Sequence, residues 1–462
     1  MLLRRYTPAE ARDTVLRRVP IHERPVPESL LAALAQMFGE PLTPDKAVAR
    51  ILADVRRDGD AALHAWTERL DGVRLAQFRV PDAQIQAAYA ALPEPERAAL
   101  EQAAARIRAF HQRQPITSWL TQDLGGTLGL LARPIERVGV YAPGGSAPLP
   151  STVLMAVIPA RVAGVRQVVV TTPPRVVQAY GETWPAHPAL LAAAHIAAVD
   201  AVYLLGGAQA IAALAYGTES VPQVDKIVGP GNLFVTLAKK QVYGVVGIDG
   251  LAGPTETLIV ADGTANPAWV AADLLAQAEH DPLAAALLLT PSAALLDAVE
   301  AELQRQVPQR ARGDIIRAAL GHRSAAVHTE SVAQAIELAN AYAPEHLALA
   351  VADPWRWLPQ VQHAGCVFLG EHSYEVLGDY VAGTNHVLPT DGSARYASSL
   401  SVLDFVKWMG VVALDPATAQ ELSPVAAQLA DLEALDAHAA AARARLQPAQ
   451  GSRPKEVMED DR

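Results

Sequence analysis

Glu345 and His346 stand side by side in Pro344-Glu345-His346, just ahead of the apolar run 347–351. Carboxylate and imidazole are the commonest side chains for moving protons near neutral pH. A Glu-His dipeptide alone is ordinarily a surface pair, so its meaning depends on what surrounds it. A second set is Gln277-Ala-Glu-His280, near the end of a helix that Asn266 can cap and Pro267 can open. Gln277 and His280 are three apart and share one helix face, so an amide oxygen and an imidazole could form half of a metal site. The plain alternative is a surface helix end, with His280 at the negative pole of the dipole. Asp379, in Gly378-Asp379-Tyr380, and His386, closing Gly383-Thr-Asn-His386, lie in one glycine-bearing loop where a turn role is the simple reading. Glu433 and His438 sit in an alanine-rich C-terminal segment that reads as a solvated helix face. The single cysteine, Cys366, lies in a short apolar run and reads as a small buried strand residue, not a nucleophile.

The elements that must position these groups alternate. From about residue 137, apolar runs at 138–142, 167–172, 201–205 and 226–228 are separated by helical segments at 153–164, 188–198, 209–216 and 233–243. A second series has strands near 257–260, 285–290, 347–351 and 367–369. Strands alternating with helices imply parallel sheets covered on both faces. Three of the turns are rich in glycine: Tyr141-Ala-Pro-Gly-Gly145, Leu205-Gly-Gly-Ala-Gln209 and Gly229-Pro-Gly-Asn232. Such turns let a ligand approach the backbone, and helix N-termini offer free N–H groups to phosphates. The complete G-x-G-x-x-G fingerprint is absent; each turn alone reads as a tight strand-to-helix connection, and the three together suggest a ligand crevice. The segments before about residue 130 and after about residue 415 read as alanine-rich helix, and 451–462 as a charged, disordered tail.

The 462-residue length suggests about two to four domains. A hydrophobic fraction of 51% with 19% charged residues fits a globular chain with a large core. The net charge of −11 argues against a nucleic-acid binder. No apolar run reaches membrane-spanning length, and the N-terminus lacks a long apolar segment. One cysteine permits no intramolecular disulfide, which fits a reducing compartment. A cytoplasmic protein without membrane or nucleic-acid partners is expected.

Six segments give a more specific reading. Val138-Gly-Val-Tyr-Ala-Pro-Gly-Gly145, Gly206-Gly-Ala-Gln-Ala-Ile-Ala-Ala-Leu-Ala-Tyr-Gly217, Lys226-Ile-Val-Gly-Pro-Gly-Asn232, Ala272-Asp-Leu-Leu-Ala-Gln-Ala-Glu-His-Asp281, Ala343-Pro-Glu-His-Leu347 and Gly383-Thr-Asn-His-Val-Leu-Pro389 resemble the corresponding segments of the histidinol dehydrogenase family. The similarity runs from about residue 51 to 446. It implies an α/β fold of two incomplete Rossmann-like, doubly wound domains with small helical N- and C-terminal domains. The implied division is an N-terminal helical segment at 1–35, a first Rossmann-like domain from 36–136 and 252–390 bearing metal and catalytic residues, an NAD-side domain at 137–251, and a C-terminal dimerisation domain at 391–450. It implies two successive NAD-dependent oxidations of L-histidinol, through L-histidinal, to L-histidine. Carried over by position, Gln277, His280, Asp379 and His438 would bind one Zn2+ per subunit. Tyr141, Gln209 and Asn232 would contact NAD, and Glu345 and His346 would be the bases. Thr255, Gln277, His280, His346, Asp379, Glu433 and His438 would meet substrate. The C-terminal segment would reach into the partner's site in a homodimer. Thr255 stands where the family usually has serine; the hydroxyl is kept. The alternative is a related zinc- and NAD-dependent enzyme acting on another alcohol, such as a sulfonated diol.

Overall fold

A computed structural model describes residues 2–19, 25–144 and 148–446. Gly145 of the first glycine-rich turn and the expected tail at 451–462 lie outside the described residues. The chain divides into two compact units, one of Met1–Pro115 with Pro134–Phe405, the other of Ile116–Arg133 with Val406–Arg462.

The larger unit is built on two parallel sheets. In the five-stranded sheet the order is Gly247–Ile248, Lys226–Val228, Arg137–Tyr141, Gln167–Thr172 and Ala201–Leu204. Both faces are buried, which is why these strands read as unbroken apolar runs. Val138, Val140, Val168, Val170 and Val202 point into a core with helices Asp82–Ala91, Glu94–His111, Pro150–Val162 and Pro188–Ile196. Tyr141, Val169 and Tyr203 point the other way, toward Pro44–Asp58, Asp60–Asp71, Gly207–Tyr216 and Leu233–Val242. The apolar contacts of residues 44–107 therefore go to the five-stranded sheet. The expected grouping of 36–136 with 252–390 does not follow the core: an amphipathic helix announces which of its faces is buried, not which sheet buries it.

The six-stranded sheet runs Arg4–Tyr6, Ala325–His328, Ala285–Thr290, Glu256–Ala261, His346–Ala350 and Cys366–Leu369. All five pairings are parallel. The N-terminal segment expected to be helical contains helices Pro8–Asp13 and Glu28–Phe38 and, ahead of them, the edge strand Arg4–Tyr6. Three residues, two of them arginine, carry no strand periodicity, and the partner lies more than 300 residues along the chain. Helices Pro267–Ala278, Ala293–Gln306 and Gly313–His322 cover one face, and Val332–Tyr342 the other.

The smaller unit is not helix alone. Strands Val406–Leu414, Gly126–Pro134 and Trp119–Thr121 form a three-stranded sheet, followed by helices Pro416–Leu432 and Asp436–Ala444. Residues 391–405, expected in the C-terminal domain, belong to the larger unit. Of the two helices only Ala427, Ala430 and Ala439 are buried, while Leu422, Val425, Leu429, Leu432 and Leu435 are exposed, as are Trp408, Met409 and Val412 on the strand. No helix among the described residues is long and apolar enough to cross a membrane.

Candidate active site

In the six-stranded sheet, the groups able to do chemistry gather at the amino ends of three neighbouring strands. His346 opens its strand and pairs in register with Thr257 on one side and Cys366 on the other. The chain reaches it through Ala343, which ends the preceding helix in the left-handed conformation at φ 53°. Gly365 runs so close that a Cβ there would lie 2.6 Å from the Glu345 carbonyl oxygen.

Backbone groups of Glu256 hold both members of the Glu345–His346 pair. His346 Nδ1 lies 3.0 Å from the Glu256 carbonyl oxygen. A carbonyl only accepts, so Nδ1 carries hydrogen and Nε2 is the basic atom of the neutral ring. That Nε2 is buried and has no hydrogen-bond partner; Asp379 Oδ1 is 3.6 Å away, in reach of its charge but beyond a hydrogen bond. Glu345 Oε2 accepts from the Thr255 hydroxyl at 2.7 Å and the Glu256 N–H at 2.9 Å. The Thr255 hydroxyl in turn accepts from Gln277 Nε2 at 3.0 Å.

Burial raises the Glu345 carboxyl to about 7, against the pull of His346 and the two hydrogen bonds. Burial also disfavours the charged His346, yet Glu375, Glu345 and Asp379 together hold it well above the ordinary imidazole value. Glu375, its carboxylate 3.8 Å from His346 Nδ1, is raised to about 8, chiefly by burial, with Asp379 and Glu345 adding to it. It also accepts from the Thr257 hydroxyl. Asp379 is held low despite burial, by His346 above all.

Glu375 and Asp379 lie one turn apart on the short helix Glu375–Tyr380. Asp379 was legible as a site residue, whereas Glu375 was not, although its four-residue spacing from Asp379 is the signal that places both on one face. His346, Glu375 and Asp379 bring ligand-type atoms within 4.8 Å of one another. His386, in the glycine-bearing loop, is also part of this cluster. Its Nδ1 lies 2.9 Å from the Asp379 carbonyl oxygen, and burial lowers its pKa.

Gln277 falls in the last turn of Pro267–Ala278, whose start Asn266 caps through Ala268 N. Its Oε1 is buried without a hydrogen-bond partner. His280 is not in that helix, as three-residue spacing on one face had suggested; it lies past the cap, in the turn. It is accessible as a residue, yet neighbouring atoms crowd the ring enough to lower its pKa, with Asp379 opposing. Two orphaned buried atoms, Gln277 Oε1 and His346 Nε2, fit a site made to receive a cation or substrate, since an unmet buried polar atom costs about 1–3 kcal/mol.

Cys366 is in the expected strand but only part-buried, and burial raises its thiol. Glu433 caps the end of Pro416–Leu432 and His438 lies on Asp436–Ala444; both are exposed on the smaller unit.

The five-stranded sheet places its three candidate residues at the carboxyl ends of its strands. Tyr141 ends its strand, and its hydroxyl accepts from Gly207 N at 3.2 Å. Burial raises that hydroxyl to about 12, so it stays protonated. Gln209, in the first turn of Gly207–Tyr216, donates to Asp71 at 3.3 Å and leaves Oε1 buried and unpartnered. Asn232 caps Leu233–Val242, its side-chain oxygen accepting from Phe234 N and Val235 N. Gly229, at φ 109°, brings its backbone against Tyr141, where a Cβ would meet the carbonyl oxygen at 2.3 Å.

Residues 41–446 match the family model described as histidinol dehydrogenase. The chain belongs to the histidinol dehydrogenase family. It is 52% identical to a histidinol dehydrogenase of Deinococcus radiodurans over 443 residues, covering 95% of this chain and 98% of the relative. It is 53% identical to that of Thermus thermophilus, covering 86% and 93%. A crystal structure of histidinol dehydrogenase from Elizabethkingia anophelis superposes with a TM-score of 0.86 at 36% identity, over 96% of this chain and 98% of that one. The expected mixed α/β architecture is the one observed, and histidinol dehydrogenase membership favours the histidinol reading over the other-alcohol alternative.

Proposed function

We propose that this chain oxidises L-histidinol twice, through L-histidinal to L-histidine, with His346 and Glu345 as the two bases. The observation that carries the assignment is the shared backbone of Glu256. Its carbonyl fixes the His346 tautomer, and its N–H locks Glu345 beside it. The carboxylates around His346 favour its charged form; in the neutral ring Nε2 is the atom that accepts the alcohol proton, and the positive charge of zinc, when bound, would favour that neutral form. The aldehyde must add water before a second hydride can leave. Glu345, with a pKa near 7 and one oxygen anchored by two donors, is suited to take the proton of that water.

Each oxidation would deliver one hydride to one NAD, so two NAD molecules are needed in turn, and the carboxyl ends of the five-stranded sheet offer Tyr141, Gln209 and the helix capped by Asn232 to hold each. Gln277, His280 and Asp379 are the residues that would hold zinc, joined by His438. The unpartnered Gln277 oxygen and the low pKa values of His280 and Asp379 support that set. Zinc, when bound, supplies a divalent charge that orients the substrate's nitrogens and offsets the crowded carboxylates.

Glu433 and His438 reach a site by pairing of two copies, each lending its smaller unit. The exposed leucines of that unit support the pairing. Lack of a membrane partner and a cytoplasmic location complete the proposal.

The test is NADH formation by purified protein with L-histidinol and then L-histidinal. Activity with both is expected. Activity with neither, but with another alcohol, sinks the assignment.

A further inference from the structure

Behind the Glu345–His346 pair lies a charged cluster that the proton-transfer scheme does not use. Glu256, whose backbone holds both bases, has a side chain with no exposure at all. Both its carboxylate oxygens are bonded by the guanidinium of Arg18, one of them at 2.7 Å. Arg323 stands 3.6 Å from the same carboxylate, and Asp391 lies within 4 Å of both arginines. Arg18 also donates through Nε to the Tyr342 carbonyl at 2.9 Å and through a terminal nitrogen to the Ala343 carbonyl at 3.2 Å. Its guanidinium stacks 3.5 Å over the Tyr342 ring.

These bonds join two chain segments. One carries Thr255 and Glu256, the other turns through left-handed Ala343 into Glu345 and His346. A non-glycine residue in that conformation is disfavoured and persists only where its surroundings hold it. Arg18 grips the carbonyl on that very residue and, with the rest of its planar fork, the side chain of Glu256. Lysine, a point charge, cannot make both contacts in this geometry.

We propose that Arg18, from the N-terminal segment, is the positioning residue for both bases. It sets the spacing between the Glu256 peptide and the 343–346 turn, and thereby the hydrogen bonds that orient Glu345 and His346. The inference rests on the assignment of those two residues as the bases.

Arg18→Ala is the direct test, with Arg18→Lys taking its place in the kinetic and structural measurements, though not in the rescue, if the alanine variant does not fold. Misplacing a reacting group by a fraction of an ångström predicts a kcat lower by about tenfold or more for both oxidations, with KM for L-histidinol and NAD unchanged within about twofold. Guanidinium ion at low millimolar concentration should restore much of the lost kcat in Arg18→Ala, a response that a merely stabilising residue would not give. Wild-type kcat in a folded variant overturns the inference, as does a loss that guanidinium leaves untouched. A crystal structure of the variant decides independently of turnover. Glu345 should lose its bond to Thr255 or to the Glu256 N–H; retention of both, with the His346 bond intact, overturns the inference even if the protein oxidises no histidinol. A wild-type protein inactive on histidinol would instead count against the activity assignment.

Discussion

The two parallel sheets of the larger unit present opposite ends to their candidate ligands. In the five-stranded sheet Tyr141, Gln209 and Asn232 lie past the carboxyl ends of strands, where ligands usually sit in open α/β sheets. In the six-stranded sheet Thr255, Glu345 and His346 lie at the amino ends. A carboxyl end feeds through a glycine turn into a helix N-terminus, so it offers backbone N–H groups and suits a phosphate-bearing cofactor. An amino end offers no such helix. It offers side chains, and the first peptide of the strand still has hydrogen-bonding capacity to orient them. Glu256 spends that capacity on the two bases. On the proposed assignment, binding and chemistry are separated by strand polarity.

That separation breaks if substitutions at the amino ends change cofactor binding, or if those at the carboxyl ends change the chemical steps. The largest effect is expected from His346→Asn, which should lower kcat for both oxidations by about a thousandfold and leave NAD affinity intact. Glu345→Gln should slow L-histidinal oxidation by about a hundredfold and the alcohol step much less. Equal losses in the two steps, measured from each substrate separately, would contradict the division of labour.

At the other sheet, Gly229→Ala should raise KM for NAD about tenfold with kcat nearly unchanged, and lower stability by about 1–3 kcal/mol as the new methyl pushes on the Tyr141 carbonyl. Titration calorimetry with NAD and thermal melting check both parts. A gentler probe is pH. As a proposed base Glu345 works deprotonated and its pKa is raised to about 7, so the aldehyde step should fall as pH drops through that value. A flat rate between pH 6 and 8 would remove Glu345 from the rate-limiting proton transfer. Smallest of all, Thr255→Ser should change either step by less than about twofold, because the hydroxyl that donates to Glu345 remains. Thr255→Val should act like a mild Glu345→Gln.

Much of this arrangement is legible in the chain itself. Apolar runs such as Gln167–Thr172 and Ala285–Thr290 are strands because both faces are covered, and their bounds follow the run. The three glycine-rich turns mark the carboxyl ends of the five-stranded sheet for the same local reason. What is illegible depends on distance along the chain. Arg4–Tyr6 is a strand only because Ala325–His328 offers it an edge. Glu256 looks like an exposed strand end until Arg18, 238 positions away, neutralises it in the core. Glu375 sits in a stretch with no apolar rhythm; its meaning comes from Asp379 one turn on and His346 across the sheet. Glu433 and His438 are understood only through the family resemblance, since no described residue of their own unit gives them a partner in chemistry.

The pairing of His346 with Thr257 has a practical consequence for recovering this protein from denaturant. Strand side chains alternate, so a slip of one residue would turn His346 to the opposite face and bring Leu347 forward. The slipped sheet would remain apolar and compact, and could pass a spectroscopic test of secondary structure. It would not turn over substrate. Specific activity after refolding therefore counts correctly aligned molecules, while circular dichroism counts all folded ones, and the ratio of the two is a direct assay of alignment errors.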